Sequence, residues 1–476
     1  MKCKCIEKIF SIKNDQLNKE KVITVLGKQF KFKSKRLIQR ENEFLTEKLE
    51  EILISNNEML SKLDVEYTPI ENRLCYCLSM SLPYRTTGYA TRSQYMAKAM
   101  NEKFDLYVVT KPNFPWNANS ETRTVPTEMV ENIDGIRYIR QQTTSKENII
   151  TEMIESWVKT FLELRPQYVV AASDYVNALP VMVAAKKLGI PFYYEVRGFW
   201  ELTRVSANPS YKDTLKFKYE KFSEARVCKN ADGVFTLTTP MKNELVSRGV
   251  SEDKISLAPN CADLSLFDLK DKNTDLLNRL NIPQDVPVIG YIGSIQVYEG
   301  IDDLMRACAT LNDKNIDFRL LIIGSSRESF DYKKQLCDLA EELKIGNKLI
   351  MLDRVDSNEV ADYYSLIDIA PFGRKPFDVC ELVSPIKPLE AMAMQKTVIV
   401  SDVGALKEIV IDNETGLHFK KGDVNSYAEI LERAIVDSDL RKHLGINARQ
   451  WIEQNRQWSM NIDRMKEVFN NNIEVK

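Results

Sequence analysis

Glu381-Leu-Val-Ser-Pro-Ile-Lys-Pro-Leu-Glu-Ala-Met-Ala-Met394 runs a loop directly into a helix. A proline in the first turn of a helix gives up only an N–H that has no partner there anyway. Pro388 therefore marks the start, and Leu389, Met392 and Ala393 supply one apolar face. The open N–H groups of a helix start attract anions, and Lys387 adds a full positive charge beside them. Glu390 sits one turn inside, where a carboxylate can accept hydrogen bonds from two neighbouring hydroxyls. Phosphate charge on one side and a diol on the other fit a nucleotide. A capped amphipathic helix with a surface Lys and Glu fits the same residues.

Around this stretch strands and helices alternate. Residues 286–292, 319–323, 348–352, 367–371 and 397–401 are short apolar runs, each followed by a helical pattern such as 301–311. The first run ends in Gly293-Ser-Ile-Gln-Val-Tyr-Glu-Gly300, which brings Gly293 and Ser294 to the carboxyl end of a strand. The same alternation fills an earlier half. A strand at 74–80 leads through Pro83-Tyr-Arg-Thr-Thr-Gly-Tyr89 to a helix over 90–100 and a strand at 106–109, the opening of a parallel α/β domain. Gly88 lies where backbone can approach a ligand, or in a plain turn. Further strands are expected at 168–172, 192–196 and 233–236, and the second of them runs into Arg197-Gly-Phe-Trp-Glu201. Charged and aromatic residues crowded past a buried strand are where α/β enzymes place chemistry, which makes Glu195, Arg197 and Glu201 candidates. A salt bridge holding the loop is the structural alternative.

Polar residues at 270–275 read as a linker. Two consecutive parallel α/β halves imply a cleft between them. The division is an extension at 1–70, a first domain at 71–265, a second at 266–445, and a helical segment at 446–476 that crosses back to the first domain.

A length of 476 residues suits about two or three domains. With 66 basic against 68 acidic side chains the net charge is -2, so no global field points to nucleic acid. The nine cysteines are scattered, and the close pairs Cys3/Cys5 and Cys75/Cys77 are spaced too tightly for a structural zinc site. There is neither an export signal nor an apolar run of about 18 residues, so reduced thiols and a cytoplasmic location are expected. In the extension, Phe30-Lys31-Phe32-Lys33 has the period of a strand with one charged face, suited to solvent or to anionic headgroups. Leu45, Leu49, Ile52, Met59 and Leu63 form a heptad-like seam that fits either a dimer through 41–63 or a helix packed on its own domain.

Four stretches occur in a set order: Thr87-Gly-Tyr-Ala-Thr-Arg-Ser93, Tyr194-Glu-Val-Arg-Gly-Phe-Trp-Glu201, Gly290-Tyr-Ile-Gly-Ser-Ile-Gln-Val-Tyr-Glu-Gly300 and Pro385-Ile-Lys-Pro-Leu-Glu-Ala-Met-Ala393. Together they resemble the large retaining glycosyltransferase family numbered 4, often called group 1. Its fold is two Rossmann-like domains facing across a cleft, the GT-B architecture. The extension loosely resembles lead-in segments of bacterial surface-polysaccharide enzymes.

By this resemblance Glu390 holds the ribose hydroxyls of a nucleotide-sugar, UDP-sugar first among them, and Lys387 contacts the diphosphate. Gly88 and Tyr89 approach the phosphates or the acceptor from the first domain. The pattern departs from the family in three places. The position eight before Glu390 is Leu382, with Glu381 beside it, where a glutamate usually contacts the donor sugar; Leu382 to Ser384 then set donor selectivity. Ser294 and Glu299 stand where many relatives carry Arg and Lys, leaving Lys387, Arg354 and Arg374 to meet the phosphate charge. Arg197 takes about the place of a common first-domain histidine, so Arg197 and Glu195 join Lys387 and Glu390 as catalytic candidates.

The implied reaction is a front-face transfer with retention, in which the departing phosphate oxygen takes the acceptor proton. No metal or other cofactor is expected, and Asp437-Ser-Asp439 reads as a helix cap. The implied acceptor is a surface glycan, free or on a lipid carrier, with peripheral contact at the cytoplasmic face of the inner membrane. A sugar-nucleotide epimerase of the same architecture and a noncatalytic nucleotide-sugar-binding subunit are the rival readings.

Overall fold

The computed structural model describes residues 10–15, 20–25, 28–33 and 62–474, apart from 118–127, 145–148, 326–329 and 357. In the extension, β1 (Phe10–Asp15), β2 (Glu20–Val25) and β3 (Lys28–Lys33) form an antiparallel sheet in that order. The charged-face strand expected at Phe30–Lys33 falls within β3. The seam expected at 41–63 lies outside the described residues except for its last two.

The first domain is an eight-stranded sheet, ordered β11-β10-β9-β8-β4-β5-β7-β6. It begins with β4 (Ile70–Leu78), followed by helix α1 (Gly88–Asn101) and β5 (Asp105–Thr110). Leu74 to Leu78 are wholly buried, as expected of a central parallel strand covered on both faces. Next comes a hairpin, β6 (Val130–Ile133) and β7 (Ile136–Ile139), joined by Asp134-Gly135, both with positive φ. That two-residue turn matches the right-handed strand twist. The sheet continues through α2 (Ile150–Leu164), β8 (Pro166–Ala172), α3 (Tyr175–Leu188), β9 (Phe192–Val196), β10 (Gly233–Thr236) and β11 (Ile255–Leu257). Because β4 pairs with β5 on one side and β8 on the other, the crevice at their carboxyl ends is the point where strand order reverses.

The second domain repeats the plan with six parallel strands, ordered β14-β13-β12-β15-β16-β17. These are β12 (Val288–Ile292), β13 (Arg319–Ile323), β14 (Leu349–Leu352), β15 (Ile369–Phe372), β16 (Thr397–Ser401) and β17 (Leu417–Phe419). Helix α4 (Lys387–Ala393) lies between β15 and β16, and its Pro388 occupies the first turn. The reversal point is β12, flanked by β13 and β15.

The stretch expected to be a linker is tied to the second domain: Lys270 pairs with Asp362 at 2.7 Å and Lys272 with Asp368 at 2.8 Å. The C-terminal segment is two helices rather than one. In α5 (Ser438–Asn455), capped by Asp437 through the Leu440 N–H, Arg449 donates to the Ala393 carbonyl of α4 at 2.7 Å, which keeps α5 on the second domain. The return begins after it. In α6 (Trp458–Glu474), Trp458 stacks on Tyr95 and Phe469 sits among Tyr168, Tyr193 and Phe235 of the first domain.

The two domains also meet directly. Thr238 Oγ1 donates to the Leu382 carbonyl at 2.6 Å, and Asn260 Nδ2 donates to the Ser384 carbonyl at 2.8 Å.

Candidate active site

The second-domain wall is built at the end of β12. Its loop begins at Gly293, over which the Lys387 side chain passes; a Cβ at Gly293 would lie 2.0 Å from Lys387 Cε. Only glycine leaves that path open. Lys387 Nζ donates to the Tyr291 hydroxyl at 3.2 Å and stands 3.9 Å from the Glu299 carboxylate. Arg374 grips the same carboxylate with two bonds, at 2.8 and 3.1 Å, and donates to the Val383 carbonyl at 2.8 Å. Burial alone would raise the Glu299 carboxyl, but Arg374 and then Lys387 hold it below the usual range. Glu299 is thus an anion between two cations, and the trio carries net positive charge.

Glu390 points from the first turn of α4 toward Tyr364, whose hydroxyl lies 3.4 Å from its carboxylate. Its side chain keeps some accessible surface, yet burial pushes its carboxyl up to about 7 against the pull of Lys387 and the Tyr364 hydroxyl. Ser294 is partly exposed, and its carbonyl accepts from the Tyr291 hydroxyl at 2.9 Å. Leu382 and Ser384 line the descent into α4 with carbonyls engaged by the first domain.

Both carboxylate oxygens of Glu381 are engaged within the second domain. One oxygen accepts from the Gly404 N–H at 2.8 Å and the other pairs with Lys421, so both hold neighbouring second-domain loops.

The first-domain wall is the loop after β4 and the start of α1. Gly88 is exposed, and a Cβ there would meet no atom within 4 Å, so nothing in the protein itself demands glycine. Thr87 caps the helix through the Ala90 N–H, and the first turn carries no acidic residue to cancel its positive end. Tyr89 faces inward: its hydroxyl accepts from the Ser79 N–H at 3.0 Å and its ring lies 4.6 Å beneath the Arg197 guanidinium.

Behind this wall Glu195 and Arg197 are tied into a buried charge network. Glu195 is fully buried and accepts from Arg92 at 2.6 and 2.9 Å, from Arg197 at 2.8 Å and from the Tyr76 hydroxyl at 2.8 Å. Burial works to raise its carboxyl, but Arg197 and Arg92 hold it down at about 2. Arg197 also donates to the Tyr89 carbonyl, Ser93 Oγ and the Tyr76 hydroxyl. Arg92 completes the knot with bonds to the carbonyls of Ala258 and Pro259 and to Asn260 Oδ1. The salt-bridge alternative fits these residues, whose hydrogen bonds all lie within the first domain. Glu201 is likewise buried, 2.7 Å from Arg248, close in charge though out of hydrogen-bond alignment.

Arg92 is the residue that the sequence reading passes over, although it lies in the Thr87–Ser93 stretch. A further contact between the domains is made by Arg354, whose Nη1 donates to the Thr86 carbonyl at 2.8 Å. The structure therefore brings Gly293, Ser294, Arg374, Lys387 and Glu390 together on one wall with Gly88 facing from the other domain, and sets Glu195, Arg197, Glu201 and Glu381 in supporting positions.

Two family models match the chain, Glycosyl transferases group 1 over residues 272–451 and Glycosyl transferase 4-like domain over residues 87–261. Among curated proteins it is 26% identical over 288 residues to D-inositol 3-phosphate glycosyltransferase of Stackebrandtia nassauensis, covering 59% of this chain and 63% of that protein. It is 25% identical over 290 residues to the capsular polysaccharide biosynthesis glycosyltransferase CapM of Staphylococcus aureus, covering 58% of this chain and 69% of that protein. The chain thus spans less than two thirds of the length of the first relative. Among solved structures, Anabaena HepE in complex with UDP-glucose superposes with a TM-score of 0.67 at 14% identity, covering 84% of this chain and 99% of that one, which is a likeness of fold.

Proposed function

Because this chain belongs to the group 1 glycosyltransferases, with the two Rossmann-like domains of the GT-B architecture, we propose that it moves a sugar from a nucleoside diphosphate sugar, with retention, to a hydroxyl of a surface glycan. The observation that carries this reading is the passage of Lys387 over Gly293 beside Arg374, with Glu390 one turn away on the same helix. A diphosphate against Lys387 and a ribose diol against Glu390 satisfy both groups at once. The relative CapM, named for capsular polysaccharide biosynthesis, favours a glycan acceptor, and the UDP-glucose bound by Anabaena HepE favours a UDP-sugar donor.

In this reading the barrier falls because charge that develops on the leaving diphosphate is met by fixed cations in a site from which most solvent is excluded. Lys387 and Arg374 supply that charge. Glu299 keeps both cations oriented before substrate arrives, at the cost of some positive potential. The leaving phosphate oxygen itself takes the acceptor proton, so neither Glu195 nor Glu201 needs to act as a base. The basic strands of the extension would provide peripheral contact with an anionic bilayer; no helix among the described residues is long and apolar enough to cross one.

The test is thermal stability of the full chain with UDP, GDP, CMP and ADP, repeated for Lys387→Ala and Glu390→Ala. A ligand that binds the folded state raises Tm with concentration. The expected result is a shift with UDP that both variants lose. A UDP shift that survives in both variants would place the nucleotide elsewhere and overturn the reading.

A further inference from the structure

The loop that leads into α4 is held from both domains at once. It leaves a short helix at Asp378–Leu382, and its backbone at Val383 is extended, with φ -98° and ψ 117°. Successive carbonyls of extended backbone turn to alternate sides. The carbonyls of Leu382 and Ser384 accordingly meet the first domain, at 2.6 Å from Thr238 Oγ1 and 2.8 Å from Asn260 Nδ2. The Val383 carbonyl between them turns to Arg374 Nη1 in its own domain, at 2.8 Å. Three consecutive carbonyls thus have three side-chain donors, and the middle donor is a cation of the candidate site.

Asn260 joins this loop to the interior of the first domain. It is buried, and its Oδ1 accepts from Arg92 Nη1 at 2.9 Å. A guanidinium only donates, so the amide oxygen has to face Arg92 and the NH2 group has to face the Ser384 carbonyl. Arg92 is itself fixed by Glu195. Ser384 is buried as well. A buried carbonyl that loses its donor is unfavourable, so without the Asn260 NH2 the loop must shift until another donor is found. The Val383 carbonyl moves with it. Arg374 then keeps its two bonds to Glu299 but loses the third point that fixes the plane of its guanidinium.

We propose that, given the reading in which Arg374 meets the donor diphosphate, Asn260 is a positioning residue for Arg374, acting from the first domain through the carbonyls of Ser384 and Val383. The phosphate-binding charge of the second domain is then aligned only while the first domain sits against the loop. The buried Arg92–Glu195 pair supports that alignment from behind.

The test is calorimetric binding of UDP and of uridine to the full chain carrying Asn260→Asp or Asn260→Ala. The Asp side chain keeps an acceptor for Arg92 and removes the donor to Ser384, so the first domain retains its bond. Both variants should bind UDP about tenfold more weakly, as for a misaligned charged hydrogen bond, and uridine within about twofold of wild type, because Arg374 meets only phosphate. In an Arg374→Lys background Asn260→Asp should add no further loss, since both changes act on one contact. Unchanged UDP affinity in Asn260→Asp would overturn the proposal. So would equal losses for UDP and uridine, which mark general loosening, or a loss that persists in the Arg374→Lys background, which marks the added charge alone. Lys387→Ala checks the donor-site reading separately. If that variant loses UDP while Asn260→Asp keeps it, the positioning role alone falls; if Lys387→Ala keeps UDP, the reading falls and the positioning role with it.

Discussion

Both walls of the cleft contain a buried carboxylate held between two cations, and the two triads are put to different uses. In the first domain Glu195 lies between Arg92 and Arg197, and other donors of the two arginines reach backbone carbonyls, Asn260, Ser93 and the Tyr76 hydroxyl, with Arg197 Nε left over. In the second, Glu299 is gripped by Arg374 while Lys387 stands off at 3.9 Å with its side chain 21% exposed. Two buried cations that both grip one carboxylate make a scaffold. A cation held at a distance, on a short helix beside a glycine floor, can change partner when an anion arrives.

The sharpest way to break this contrast is at Glu195. Replacing it by Gln leaves two buried guanidinium groups uncompensated, a change that costs about 3–5 kcal/mol where one partner of a buried pair is removed. Thermal or denaturant unfolding should show that loss, while residual folded protein still binds nucleotide. The folded carboxyl is depressed to about 2. The stability it contributes is therefore present above the unfolded value near 4.3 and lost as pH falls toward 2. A Glu195→Gln protein with wild-type stability and no activity would instead restore the catalytic assignment.

Lys387→Ala should do the reverse. Its side chain crosses open space above Gly293, so unfolding should shift by less than about 1 kcal/mol. Loss of a charge aimed at the leaving group should lower kcat/KM by about 10²–10³-fold. Destabilisation comparable to Glu195→Gln would show that both triads are scaffold.

Glu390 gives a smaller effect with a distinct signature. If the ribose diol is held by the ionised carboxylate, and that carboxyl titrates at about 7 in the empty site, nucleoside binding must expel a proton at acid pH. Affinity should then fall about tenfold from pH 8 to pH 6. Uridine, which lacks phosphate, isolates the effect in calorimetry, and Glu390→Gln should flatten the profile. An unchanged slope in that variant would remove Glu390 from the diol.

The contrast also explains what the sequence makes legible. Lys387, Pro388 and Glu390 are neighbours, so helix-start chemistry places them without the rest of the fold. The buried strands are readable for the same local reason, with β9, β10, β13 and β16 falling at their expected bounds. The role of Glu195 depends on Arg92, 103 positions away in the chain, and no local pattern joins the two. The β6–β7 hairpin is a different case. Asp134-Gly135 is a standard hairpin signal, masked here by the strand–helix rhythm on either side. The edge strands β11 and β17 have three residues each, too few for any period to show.

The smallest expected effect tests the bridge made by Arg354. Arg354 was a candidate for the diphosphate, yet in this structure its Nη1 donates to the Thr86 carbonyl just before α1. A solvent-exposed hydrogen bond contributes at the low end of about 0.5–1.5 kcal/mol. If Arg354 only helps hold the walls together, Arg354→Ala should raise KM for the donor about two- to threefold at constant kcat, and Arg354→Lys should recover part of that. A phosphate contact in the transition state predicts instead a fall in kcat of more than tenfold, steepest at low salt, where screening is weakest. The two outcomes differ in which kinetic constant moves, so steady-state measurements at two ionic strengths separate them. The first leaves Lys387 and Arg374 as the cations that meet the phosphate, while the second adds a cation from the rim and makes closure of the cleft part of catalysis.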